Sequence, residues 1–137
     1  MLSEFHFDGQ IWKVSNNGSY EVILGVYCDN YEIIGDSGQD LAMIHVCPNT
    51  KTPWQLVKYG ERTIEVFVHG NGKLIVEDVN GTVYEHYFTE SRTGDYILVS
   101  VGEKMQWIAG NEGLHFVEIC RPPYKDGRFE IIDDKKQ

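Results

Sequence analysis

Three observations predict an all-β fold, a sandwich or small barrel. Runs rich in Val, Ile, Tyr, Phe and Trp alternate in polarity. Turn clusters such as SNNGS, GDSGQD, HGNG, SRTGD and GNEG separate them. No segment of helical length carries a 3.6-residue apolar repeat. Taken in order, the strands are predicted at 10–15, 20–27, 41–47, 53–58, 63–69, 72–78, 82–88, 96–101, 105–109 and 114–120. This spacing suits a sandwich or barrel. Asn71-Gly72 and Asn80-Gly81 read as tight hairpin turns, because both residue types tolerate positive φ. The tail from Pro122 is polar and reads as irregular.

The 137 residues fit one domain with its own core. The formal charge of −9 repels phosphate backbones, which argues against nucleic acid as a partner. No apolar run approaches the ~20 residues of a membrane helix. The start, MLSEFHFDGQ, lacks the basic and apolar regions of a secretory signal. Cys28, Cys47 and Cys120 are odd in number and widely spaced, unlike a disulfide framework or zinc ribbon. Reduced thiols in a cytoplasmic protein are the simpler expectation.

A longer pattern runs through the middle of the chain. A strand after Pro53 is followed by Gly60, Glu65, Gly70-Asn71-Gly72 and Lys73-Leu74. Then come Gly94-Asp95, the run Tyr96-Ile97-Leu98-Val99, Gly102 shortly before Met105, and Leu114 through Pro122-Pro123. This order and spacing resembles the cupin superfamily over roughly residues 40–123. The resemblance implies a cupin-type jelly-roll β-barrel with little or no helix. It divides the chain into a barrel at about 40–123, N-terminal strands at 10–34 and a polar C-terminal tail at 124–137. It also implies pairing through edge strands, so a homodimer is expected.

Many cupins hold a metal through two histidines one residue apart, a glutamate and a later histidine. Here the paired positions fall near Gln55, Val57 or Lys58, and the later one falls on Met105. The glutamate is matched by Glu65 if Gly72 is the motif's glycine, or by Thr63 if Gly70 is. An amide, a thioether and an ammonium do not replace imidazole lone pairs. No metal and no cofactor are therefore expected. His6, His45, His69, His86 and His115 lie on different predicted strands, and no pair has a recognisable ligand spacing. A rebuilt metal site from such scattered residues is the less favoured reading.

Strand alternation sets the expected interior. If Glu65 points inward, so do Thr63, Phe67 and His69. Met105 and Trp107 share a face. On the last strand, Phe116, Glu118 and Cys120 are favoured inward, and His115, Val117 and Ile119 outward. Gln55, Glu65, Phe67, Met105, Trp107 and Glu118 then form the candidate ligand-binding set, apolar with a few placed polar groups. Glu65, Glu118 and His69 are the candidates for proton transfer. The plainer alternatives are Glu65 paired with Lys58 or Arg62 at the rim, Trp107 as core, Met105 as a gap-filler, and Cys120 as an inert small hydrophobe. Three functions follow: a metal-free small-molecule-binding cupin, a metal-independent acid–base enzyme acting on a sugar or small acid, or a dimeric scaffold. The first is favoured.

Overall fold

The computed structural model describes residues 2–124 and 128–132. Ten strands form it: β1 (Glu4–Phe7), β2 (Gln10–Ile23), β3 (Val26–Ile33), β4 (Asp36–Val46), β5 (Trp54–Val57), β6 (Arg62–Glu77), β7 (Val83–Phe88), β8 (Tyr96–Val99), β9 (Lys104–Arg121) and β10 (Phe129–Ile132). A single 3-10 turn, Glu90–Arg92, interrupts them. The expected all-β jelly roll is the observed class.

Two strands organise the barrel. β6 and β9 pair along nearly their whole lengths, from Arg62↔Arg121 to Glu77↔Lys104. Their outer ends belong to different layers. One layer runs β2-β3-β4-β9-β6-β8, using residues 114–121 of β9 and the first half of β6. The other runs β10-β5-β9-β6-β7, using the opposite halves. The crossing occurs at Gly70-Asn71-Gly72 against Gly110-Asn111-Glu112-Gly113. The expected hairpin at Asn71-Gly72 is thus a bend inside one continuous strand, with register shifts at Phe67/His69 and Gly70/Gly72. Local sequence reads as a turn because glycine with φ of +104° and +144° is needed there. Pairing on both sides of the bend makes it a bulge. Asn80-Gly81 does close a tight turn between β6 and β7, with Asp78 N–H donating to Thr82 O.

Other boundaries move for similar reasons. The predicted strand at 20–27 spans the β2–β3 hairpin, whose turn is Leu24-Gly25. β1 and most of β3 were not expected. The C-terminal tail is not irregular over 129–132: β10 pairs with β5 from Phe129↔Val57 to Ile132↔Trp54.

Two apolar clusters follow from alternation. Phe67, Leu74, Phe88, Met105, Trp107 and Phe116 fill the space between the layers. On the outer face, Ile64, Val66, Leu41, Val117 and Ile119 pack beneath Phe5, Phe7 and Trp12 of the β1–β2 hairpin. The outer face of this layer is therefore a second core, and the barrel interior is free to hold polar groups.

Candidate functional site

The favoured orientation of β9 is the observed one. Glu118 and Cys120 face inward, with Val117 and Ile119 in the outer cluster. Four of the six expected ligand-binding residues, Gln55, Met105, Trp107 and Glu118, line one cavity between the layers. Strand pairing explains the convergence: Gln55 lies opposite Met105 across β5 and β9. The free volume is about 30 Å³, room for two or three waters at ~10–15 Å³ each.

The remaining candidates divide. Glu65 is fully buried and lies directly opposite Glu118 in the β6–β9 register. It adds no surface to the cavity but faces a residue that does. Its expected alternative partners are absent: Lys58 pairs with Glu130 at 2.9 Å, and Arg62 is exposed. Phe67 is not a cavity wall. Its ring stacks on Phe88 at 4.9 Å and meets Phe116 edge-on at 5.6 Å, inside the apolar core. His69 is not inside at all. The bulge after Phe67 breaks the alternation that tied His69 to Glu65. His69 is exposed, and its Nδ1 lies 2.7 Å from Glu90 Oε1.

Several lining residues escaped the sequence reading: Tyr20, Cys28, Asp40, Tyr124 and Phe129. They come from β2, β3, β4 and the C-terminal segment, outside or at the rim of the motif region. Asp40 is the one with a readable signal, since it continues the alternation of Ala42 and Ile44 inward.

The electrostatics are acidic. Burial, then the charge of Glu118, pushes the Glu65 carboxyl well above the ordinary carboxylate range. Burial raises Asp40 to about 6, against a hydrogen bond from the Tyr124 N–H at 3.0 Å. Burial also raises the thiols: Cys28 to about 11, and Cys120 well above its usual value. Cys120 Sγ donates to Glu118 Oε1 at 3.6 Å. These thiols are protonated and unreactive near neutral pH. Arg128 is a fully buried cation close enough to lower Glu65, Asp40 and Cys120. Its guanidinium nevertheless bonds neutral oxygens: Pro122 O at 2.8 Å, Arg62 O at 2.7 Å, Thr63 Oγ1 at 3.1 Å and Arg121 O at 3.4 Å. Among the described residues, Gln55 Oε1 and Trp107 Nε1 at the cavity have no partner, nor has Arg128 Nε, while Glu65, held as its acid behind the cavity wall, is within hydrogen-bonding reach of Glu118.

The positions that carry the metal in many cupins hold Gln55, Val57, Met105 and either Glu65 or Thr63. Gln55, Met105, Val57, Thr63 and Glu65 are all buried. One amide, one thioether and at most one carboxylate do not fit a transition metal. Among the described residues, no group of three or more His, Cys, Asp or Glu is arranged to hold a metal ion. His45, His115 and His69 do form a row across β4, β9 and β6, with ring centroids 4.1 and 5.3 Å apart. They lie on the outer face, away from the cavity. Among the described residues, no helix is long and apolar enough to cross a membrane.

The arrangement of layers is that of a cupin barrel, and solved structures bear this out. Oxalate decarboxylase from Bacillus subtilis at pH 4.6 superposes with a TM-score of 0.70 at 14% identity, over 98% of this chain and 33% of that one. CapF with a tropolone inhibitor gives 0.66 at 11% identity, over 88% and 34%. KdgF from Halomonas sp. gives 0.61 at 11% identity, over 80% and 89%. All three are cupin-fold proteins, so this chain has the cupin fold. It spans about a third of the length of the oxalate decarboxylase and CapF chains. No protein-family model matches the sequence, and no curated protein sequence matches it.

Proposed function

We propose that the protein binds a small molecule in the barrel cavity bounded by Gln55, Met105, Trp107 and Glu118, without the transition metal common in this fold. The observation that carries this reading is the set of unpartnered buried polar atoms around that cavity. Leaving a buried polar atom unpaired costs about 1–3 kcal/mol. A ligand that pairs with them recovers that cost. The structural neighbour named for oxalate acts on a small diacid. Three carboxyls around the present cavity disfavour such an anion, so likeness of fold does not bring that substrate here.

A second reading rests on the Glu65–Glu118 pair. A buried carboxyl of raised pKa facing a second carboxyl serves proton transfer, which would make the protein a metal-independent acid–base enzyme. In both readings the protein works in the cytoplasm, and a homodimer is its expected assembly. The test is a screen of small polar molecules by thermal shift, on the wild type and on Trp107→Phe, which removes the indole N–H. Ligands that raise the wild-type melting temperature and lose that effect in the variant support the cavity. Ligands that stabilise both proteins equally place binding elsewhere.

A further inference from the structure

We infer that the cavity, read as a binding site above, takes a small protonated amine carrying a hydroxyl group, of the size of a two-carbon amino alcohol. Glu118 and Asp40 line it from β9 and β4, both buried, with Glu65 of β6 directly behind Glu118. Arg128, the buried cation beside them, spends its Nη donors on three carbonyls and a hydroxyl. The carboxyls thus lack a bonded counter-charge. Gln55 Oε1, itself on a residue only 5% exposed, adds an acceptor without a partner. The two carboxyls of the wall and Gln55 Oε1 are acceptors, which calls for N–H donors with positive charge. Tyr20 and Trp107 line the same cavity, and aromatic rings of these types attract ammonium groups.

A metal ion does not meet this description: among the described residues, no three His, Cys, Asp or Glu side chains are arranged to hold one. An ammonium does, since its N–H bonds reach separate acceptors. One donor is left over: Trp107 Nε1, on a residue 3% exposed. It needs an acceptor, which a hydroxyl oxygen supplies. The cavity volume of about 30 Å³ limits the ligand to a few heavy atoms. Association with so acidic a pocket favours the cation over its neutral or anionic analogues.

The experiment is calorimetric titration with ethanolamine hydrochloride, ethylene glycol and sodium glycolate. These share a hydroxymethyl end and differ in charge. Ethanolamine alone should bind, and Glu118→Gln should weaken it by about tenfold or more, the worth of one hydrogen bond to a charged group. Asp40→Asn serves as the second variant, with a loss in the same direction, should Glu118→Gln not fold. Ethylene glycol or glycolate binding in place of ethanolamine would overturn the amine and leave the cavity reading standing. Ethanolamine binding that neither variant weakens also overturns the assignment. No heat from any of the three overturns the amino alcohol, and the cavity reading then stands or falls on the thermal-shift screen.

Discussion

A carboxyl with no exposed surface is most stable as its neutral acid, and Glu65 is in that position. Its pKa is raised above 4.5 by burial first and by Glu118 second. The folded state therefore holds its proton to higher pH than the unfolded chain does. Stability tied to Glu65 is complete below about pH 4.5 and is lost as pH rises toward the folded pKa. Glu65→Gln keeps the shape, offers an N–H to Glu118 and cannot ionise. The variant should gain about 1–3 kcal/mol over wild type at pH 8, the usual cost of an unmet buried polar group, and much less at pH 4.5. Urea unfolding at the two pH values checks this. An equal difference at both would mean that ionisation of Glu65 is not what limits stability. The sequence placed this carboxyl inside because it interrupts an apolar run. It could not show that the facing residue would be another acid, since that depends on the β6–β9 register.

At the scale of elements, the long strands β6 and β9 separate what local sequence tells from what pairing decides. Strand positions around 54–57, 83–88, 96–99 and 114–120 follow from apolar alternation alone. His-Gly-Asn-Gly at 69–72 does not, because a bulge and a hairpin demand the same residues. What decides is that residues on both sides of the glycines bond to β9. The same bulge explains why His69 was wrongly grouped with Glu65. A Cβ on Gly70 would collide with the carbonyl oxygen of Gly113, whereas one on Gly81 meets nothing within 4 Å. Both have positive φ. Gly70→Ala should therefore cost about 2–4 kcal/mol, combining strain and overpacking, and Gly81→Ala about 1 kcal/mol from strain alone. Equal losses in denaturant unfolding would show that the bend relaxes freely and that close approach to β9 is unimportant. The cavity residues that sequence missed come from β2, β3, β4, Tyr124 and the first residue of β10. Their contribution is set by how the hairpins and β10 close over the barrel, which no local pattern encodes.

Across the whole molecule, the buried carboxyls and the partly buried His115 pull stability in opposite directions with pH. Inside the barrel, Asp40 rises from 3.8 to about 6 and Glu65 rises well above its ordinary value. Their stabilisation fades as pH rises through that range. On the outer face, burial first, then neighbouring His45 and His69, lowers the pKa of His115 below 6.5, while Glu90 opposes them. A group with a depressed folded pKa stabilises above its unfolded value, and that contribution is lost as pH falls through the folded one. Between pH 6.5 and 4.5 the interior therefore favours acidification and the histidine row resists it. Replacing His115 with Asn removes the central imidazole and keeps a polar side chain of similar reach. The variant should gain on the wild type steadily as pH falls from 6.5 to 4.5, and match its pH trend above 7, where neutral imidazoles dominate. Melting temperatures across this interval read the slope directly. A constant offset between the two proteins would assign His115 a packing role only.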